Sequence, residues 1–582
     1  MTKISRISSE TDVRDFSQAK EAPMLPFRGT LQPVRGGLRS ALAVVLAVVM
    51  AATLAGCNIQ IHSQPDPSLG SDTMLVSGDT GSPTFQRVFN PFLPNKRTAT
   101  NYVFEPLILQ NPLDGELTPW LASKYTLPNA STIDMTIRSG VSWSDGHMMT
   151  VGDVIFTFEL LKKFPALDLF GAWASLASVE AKGDHVVFHL KKPDSPAVAI
   201  IGNTLIVSER HWKDVKTPTT YEDPNPVGTG PFTVGAFAPQ QYSMDRNPSY
   251  WQADKIQVEH IVLPATNTQL DLVAKGYDWA YAFISDVKGT WGKANQSNKW
   301  WFPVGGVISL VPNLTKAPFN DENLRQGISH ALDRDRIAGS ASEGYMEAAT
   351  TVGLLLPNQK KYLDPSIPNS GLITQDKKAA MDYFQKAGYT LKGSSLVNSA
   401  GEQLSFAITT ANGYSDWLRA VQEVGKQLGE VGIKVTIKAP QPAGYQAALA
   451  NGDYDMAMGG TGGGDVFQAY NNLLSSTFYE PTGKQASNNF QRFKNAEADR
   501  LLAAYQGTTD ATEQQQSIRG LQQIMYQQLP VIGLYYGGLW GLFSTQKFTG
   551  WPSANDAYMA PQTYGVAPLA ILTHLKKDEG GK

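Results

Sequence analysis

Cysteine is almost absent: Cys57 is the one thiol in 582 residues, so no disulfide can close within the chain. Histidine is scarce, at eight, and no Cys/His array with zinc-ligand spacing occurs. Positive charge is not in excess either. The 49 Lys/Arg stand against 52 Asp/Glu, a net of −3, which leaves no basic footprint for nucleic acid. The apolar run at 41–54 is about 14 residues, short of the roughly 20 needed to span a bilayer as a helix. Low-complexity tracts are missing. What remains is an ordinary globular composition, 42% hydrophobic and 17% charged. The chain is long enough for several cores, because single cores stop growing near about 250–300 residues.

The short apolar run has a meaning of its own. It follows a polar stretch carrying Arg28, Arg35 and Arg39, and it ends in Leu54-Ala55-Gly56-Cys57. Basic, then apolar, then small residues is the order of a secretory signal. The cleavage site resembles the bacterial lipoprotein box, which implies a signal peptide at 1–56 and a diacylglyceryl group on Cys57. The mature chain would then run from Cys57 to Lys582, lipid-anchored (palmitate-type acylation) on the extracytoplasmic face of the cell membrane. A multi-acyl anchor holds firmly, since each buried methylene adds about 0.8 kcal/mol. A chance cysteine at the end of a membrane anchor is the competing reading; the small residues at 55 and 56 and the soluble sequence beyond favour lipidation. The polar leader is about 40 residues long, so an internal start such as Met24 stays open. With seven basic and four acidic side chains ahead of Cys57, the mature chain carries −6, which does not argue for an anionic ligand. Residues 57–73, with Pro65, Pro67 and several Ser, read as the lipidated Cys and its tether.

Patterned sequence begins near Met74-Leu75-Val76. Hydrophobic periodicity predicts strands at 185–190 and 433–437, and helices at 151–163, 323–332, 417–428 and 513–528. The third helix should stop at Gly429 or Gly432, either of which can adopt a left-handed cap. Two segments echo each other: Ala274-Lys275-Gly276-Tyr277-Asp278-Trp279 and Ala450-Asn451-Gly452-Asp453-Tyr454-Asp455-Met456. Each reads as a helix end, a glycine stop, an aromatic and an Asp opening an apolar strand. Recurring far apart, they suggest two α/β lobes built alike, although the αβ turn is common enough for coincidence.

Four ordered segments carry a resemblance. The first is Glu105-Pro106-Leu107 with Asp114-Gly115-Glu116-Leu117-Thr118-Pro119-Trp120. The second is Ser142-Trp143-Ser144-Asp145-Gly146 with Thr150-Val151-Gly152-Asp153. Gly228-Thr229-Gly230-Pro231-Phe232 with Arg246-Asn247-Pro248-Ser249-Tyr250-Trp251 is the third, and Asn323-Leu324-Arg325 through Ala331-Leu332-Asp333-Arg334 the fourth. As an ordered set they resemble the bacterial extracellular solute-binding proteins of family 5, the oligopeptide, dipeptide and nickel binders, from about residue 74 onward. Locally they read as structure: Ser144-Asp145-Gly146 as a turn, Thr150 as a helix cap with Asp153 at N3.

The resemblance implies an α/β, two-lobed periplasmic-binding-protein fold with an additional inserted domain, a ligand cleft between lobes and a two-strand hinge. Lobe I is expected at 74–104, 223–312 and 530–582, the inserted domain at 105–222, and lobe II at 313–529. It also implies a monomer that works with ABC permease subunits, without cofactor or metal, and whose lobes close on ligand.

Enzyme readings compete poorly. His185 and His189 have zincin spacing but Val186 where Glu is needed, and a strand would hold the rings roughly 13 Å apart. No Gly-x-Ser-x-Gly elbow exists. Gly483-Lys484 and the run Gly459-Gly460-Thr461-Gly462-Gly463-Gly464 each lack a phosphate-loop element. A carboxylate pair of a secreted hydrolase is the remote alternative that spacing does not exclude.

The segment after Asp455 is the informative one for ligand. Peptide-binding members of the family carry an aromatic and an acidic residue here, the latter pairing with the peptide amine. In this chain those positions fall on Gly460 and Gly463, and Asp465 is displaced by two residues. The run Tyr535-Tyr536-Gly537-Gly538-Leu539-Trp540 resembles the cello-oligosaccharide branch. Asp465, Phe467, Tyr470, Asn471, Tyr535 and Trp540 are therefore the candidate ligand-binding residues, with Trp551 assigned to packing. Oligopeptide is the first expectation and oligosaccharide the alternative.

Overall fold

A computed structural model describes residues 70–79, 84–265 and 269–578. The leader at 1–56, Cys57 and most of the tether lie outside the described residues. Three main sheets organise the chain. The first has seven strands in the order Asn298–Trp301, Gly541–Ser544, Trp279–Tyr281, Thr73–Ser77, His260–Pro264, Gln241–Arg246 and Phe232–Ala238. Its central Thr73–Ser77 is buried at every position and pairs in parallel on both sides, which is why it reads as a continuous apolar run.

The second sheet has five strands: Lys434–Lys438, Ser405–Thr409, Met456–Gly462, Val304–Pro312 and Ile532–Gly538. A third, antiparallel sheet contains Ala122–Asn129, Thr132–Ile137, His185–Leu190 and Leu176–Lys182, all within the expected insertion. It shares one apolar core with the seven-stranded sheet, in which Trp143, Phe158 and Phe188 belong with Phe104, Phe232 and Trp279. On the strand His185–Leu190 the two histidines face outward to separate carboxylates, Asp134 at 2.6 Å and Glu180 at 3.0 Å.

The echoed segments occupy equivalent places. Helix Gln269–Ala274 ends at Gly276 (φ 64°) and feeds Trp279–Tyr281, parallel to Thr73–Ser77. Helix Pro442–Asn451 ends at Gly452 (φ 71°) and feeds Met456–Gly462, parallel to Ser405–Thr409. Periodicity located helix Val151–Lys163 to the residue; the Asp153 carboxylate accepts from the Thr150 N–H at 2.8 Å. The predicted helix at 417–428 runs longer, as Ser415–Glu430, because Gly429 stays helical and Gly432 (φ 85°) takes the left-handed turn.

The crossing points need correction. Val304–Pro312 and Ile532–Gly538 pair with each other inside the five-stranded sheet. Among the described residues the chain passes from the seven-stranded to the five-stranded sheet at Phe302-Pro303 and back after Leu539-Trp540. Both strands therefore belong with lobe II, although boundaries at 312 and 530 assigned them to lobe I. Long apolar strands carry no mark of which sheet will pair with them.

Two of the recognisable motifs converge in the core. The fully buried Glu105 carboxylate accepts from Trp120 Nε1 at 2.6 Å, Tyr250 OH at 3.1 Å and Trp251 Nε1 at 3.2 Å. Burial pushes this carboxyl from its ordinary 4.5 up to about 7, with the donors pulling the other way. The folded protein holds this proton more tightly than the unfolded chain does. The contribution to stability is thus full below pH 4.5 and falls as pH rises to about 7. Urea unfolding at pH 5 and pH 8 should show wild type losing on the order of 3 kcal/mol through this group. Glu105→Gln, which keeps the accepting oxygen, should lose distinctly less; equal losses would remove Glu105 as the source.

Candidate ligand cleft

The glycine run lies where the five-stranded sheet meets the insertion. Along Met456–Gly462, burial is complete through Gly459 and gives way at Gly460. The strand Ser405–Thr409 pairs with it only at Met456 and Ala457. From Gly459 to Gly462 that edge has no strand neighbour among the described residues, and a cavity borders it.

Two cavities border this edge, and a third borders the loop that follows it. One, of about 300 Å³, lies beside Gly459–Gly462 within the second lobe, walled by Trp417, Tyr445, Gln446, Asn472 and Gln491. A second, of about 460 Å³, opens between Gly462–Asp465 and the first lobe, with Lys96, Asn101, Phe170, Asn203, Gln562 and Tyr564 opposite. The third, also about 460 Å³, lies between the insertion (Gln110, Leu127, Ser195) and the second lobe (Tyr362, Asp465, Tyr505, Gln514). Each has the size of a small-molecule site.

Polar contacts hold the two sides together. Gln110 Nε2 donates to Asp465 Oδ2 at 3.1 Å, dividing the two larger cavities. Farther out, Gln506 Nε2 donates to Asp194 at 3.0 Å and Gln514 Nε2 to Ser195 Oγ at 3.1 Å. Between them the turn at Gly115 (φ 79°) meets Gly464 backbone to backbone; a Cβ on Gly464 would stand 2.4 Å from the Gly115 nitrogen. Only glycine at 464 permits this approach.

The candidate residues separate into two groups. Asp465 does border the cleft, but its oxygens are engaged: Oδ1 accepts from the Gln468 N–H at 3.0 Å, capping helix Val466–Leu474, and Oδ2 accepts from Gln110. Burial raises its carboxyl pKa. Phe467, Tyr470 and Tyr535 are corrections. Phe467 stacks on Tyr505 at 4.8 Å, Tyr470 donates from within the core to the Val352 carbonyl at 2.6 Å, and Tyr535 is 1% exposed. None reaches the cleft. Asn471 is half-buried on the same helix but borders no cavity; its neighbours Gln468 and Asn472, one turn apart and hydrogen-bonded at 2.8 Å, do.

Trp540 is also relocated. It lies at the return crossing, tilted on Phe283 at 4.8 Å and edge-on to Phe302 at 5.0 Å, and borders none of the three cavities. Trp551 packs, as expected, stacked on Phe543 at 5.2 Å. Sequence reasoning missed Lys96, Gln110, Trp417 and Asn472. Gly115, inside a quoted motif and near Gln110, and the candidate Asn471, beside Asn472, lay close to two of them. Among the described residues no group of three or more His, Cys, Asp or Glu is placed to hold a metal ion.

Known proteins agree with this architecture. The family model "Bacterial extracellular solute-binding proteins, family 5 Middle" matches residues 116–484. Peptidoglycan-binding protein YepA of Agrobacterium fabrum is 25% identical over 473 residues, 70% of this chain and 75% of that protein. Oligopeptide-binding protein AppA of Bacillus subtilis is 25% identical over 491 residues, 81% and 87% of the two chains. The periplasmic oligopeptide-binding protein of a Thermotoga maritima oligopeptide ABC transporter superposes with TM-score 0.80 at 24% identity, covering 87% of this chain and 99% of that one. With mannohexaose bound, it superposes at 0.73, covering 88% and 99%.

The Gly115–Gly464 contact makes a prediction. Gly464→Ala should fold but keep the two sides apart, so its radius of gyration by small-angle scattering should exceed that of wild type. Identical values would show that the contact does not limit closure.

Proposed function

Because the chain belongs to the bacterial extracellular solute-binding proteins of family 5, we propose that it captures oligopeptides outside the membrane and passes them to the permease subunits of an ABC importer. In this reading it works as a monomer, held to the cell membrane by lipid on Cys57 after removal of 1–56. The observation that carries it is the open edge at Gly459–Gly462 inside a cleft. An extended peptide can add to such an edge, exchanging main-chain hydrogen bonds while neighbouring pockets take alternate side chains. Glycines suit this role because they leave the backbone uncovered. The relative from Bacillus subtilis is named for oligopeptide binding.

An oligosaccharide is the second reading, favoured by a specific feature. Asp465 is committed to Gln468 and Gln110, so the amine-pairing carboxylate expected for a peptide site is occupied. The walls offer amides and aromatic rings, the groups that read hydroxyls and cover apolar sugar faces. The Thermotoga protein has been solved with mannohexaose, and YepA is named for peptidoglycan.

Thermal unfolding in the presence of tri- to pentapeptides and of β-linked oligosaccharides separates these readings. A ligand at 100 times its Kd adds about 2.7 kcal/mol of stability. A rise in Tm with peptides alone supports the first reading, with sugars alone the second; no rise with either class overturns both. For the anchor, labelled palmitate should enter the wild-type protein in a bacterial host and not the Cys57→Ser variant. Equal labelling of the two would remove Cys57 as the lipid site.

A further inference from the structure

The cavity between the glycine run and the first lobe has two charged residues in its wall, Lys96 and Asp465. Asp465 is satisfied by the protein, one oxygen by the Gln468 N–H and the other by Gln110. Lys96 is different. Among the described residues no carboxylate oxygen comes within 4.0 Å of its ammonium. Apart from Asp465 the rest of the wall is neutral: Asn101, Asn203, Gln468 and Gln562 supply amides, and Phe170 and Tyr564 supply rings. A lysine that serves only solubility extends its ammonium into water. Here the side chain is half-buried in the cavity wall, and burial lowers its pKa with no opposing charge to restore it.

A partly desolvated cation without a counter-ion is unfavourable and is stabilised by an anion that fits the same space. The two rings complete the chamber. Phe170 is 68% exposed and Tyr564 39%, and Tyr564 is fixed by Gln562 Nε2 at 2.6 Å and by Tyr281 edge-on at 5.1 Å. They offer apolar cover to the body of a ligand whose acid group meets the ammonium.

We propose that Lys96 is the counter-ion for a carboxylate on the captured solute, so that this cavity selects ligands bearing an acid group over their neutral counterparts. The inference rests on the solute-binding reading above and narrows it. Both the C-terminal carboxylate of a peptide and the carboxylate of a sugar acid have the required chemistry.

The test uses the full-length chain in detergent and two matched pairs of probes. One pair is a tetra-alanine free acid and its C-terminal amide; the other is a tri-galacturonate and its methyl ester. Calorimetry should show, in at least one pair, the acid binding tenfold or more tightly than the neutral form, and which pair does so identifies the source of the carboxylate. In Lys96→Met the acid-to-neutral ratio should fall close to one while affinity for the neutral form is kept, and Lys96→Arg should restore the ratio. A purely structural lysine would shift acid and neutral forms together. Equal binding of acid and neutral probes by wild type, or a ratio unchanged in Lys96→Met, overturns the assignment and leaves the solute-binding reading standing. Failure of all four probes to bind overturns both.

Discussion

The antiparallel ladder between Val304–Pro312 and Ile532–Gly538 is the constraint on which the rest of the molecule depends. It is the place where the chain passes from one lobe to the other and back, so every cleft contact is held by two strands side by side. Their pairing is irregular close to the crossing, with register shifts between Val304 and Gly306 and between Ile308 and Ser309. Glycines gather there. A Cβ on Gly305 would lie 2.3 Å from the Leu539 side chain, and one on Gly538 would meet the Trp540 ring at 2.7 Å. Trp540, Phe283 and Phe302 then fill the angle between the sheets. A ladder with bulges, small residues and an aromatic wedge can bend without losing its hydrogen bonds elsewhere.

Motifs that identify the family act on this framework rather than on ligand. Arg334 is buried and its guanidinium donates to the Gly533 carbonyl on the return strand at 2.8 Å, to Ile373 O at 2.7 Å and to Ser329 Oγ at 2.7 Å. Arg325 holds the preceding turn through Gln528 O and Leu529 O. Burial lowers both guanidinium pKa values to about 10, so both remain charged at neutral pH. The fourth motif thus fixes the point where the chain starts back toward the first lobe, while Glu105 with Trp120, Tyr250 and Trp251 performs the equivalent service for the insertion.

Local features were readable in the sequence because they follow from neighbours along the chain. The helix Val151–Lys163, the two glycine-stopped αβ units and the strand His185–Leu190 all fall into this class. The cleft was not, because its contacts join residues hundreds of positions apart, such as Gln110 with Asp465. One error was avoidable. In Val466–Leu474, Val466, Phe467, Tyr470, Leu473 and Leu474 form the buried stripe, and Gln468 and Asn472 the opposite face. That spacing was present in the sequence and assigns Phe467 and Tyr470 to the core. Proximity to the glycine run outweighed it.

The central claim is that solute is captured by movement of two lobes about this paired crossing, and a distance measurement tests it most directly. With Cys57 replaced by Ser the chain has no cysteine, so spin labels on cysteines introduced at Asp184 and Lys378, exposed positions on the insertion and the second lobe, report only that distance. Pulsed electron paramagnetic resonance should give two distance populations without ligand, or one long distance. Saturation with a solute found by thermal unfolding should convert them to a single shorter one. A distribution that does not change at verified saturation would contradict capture by lobe closure.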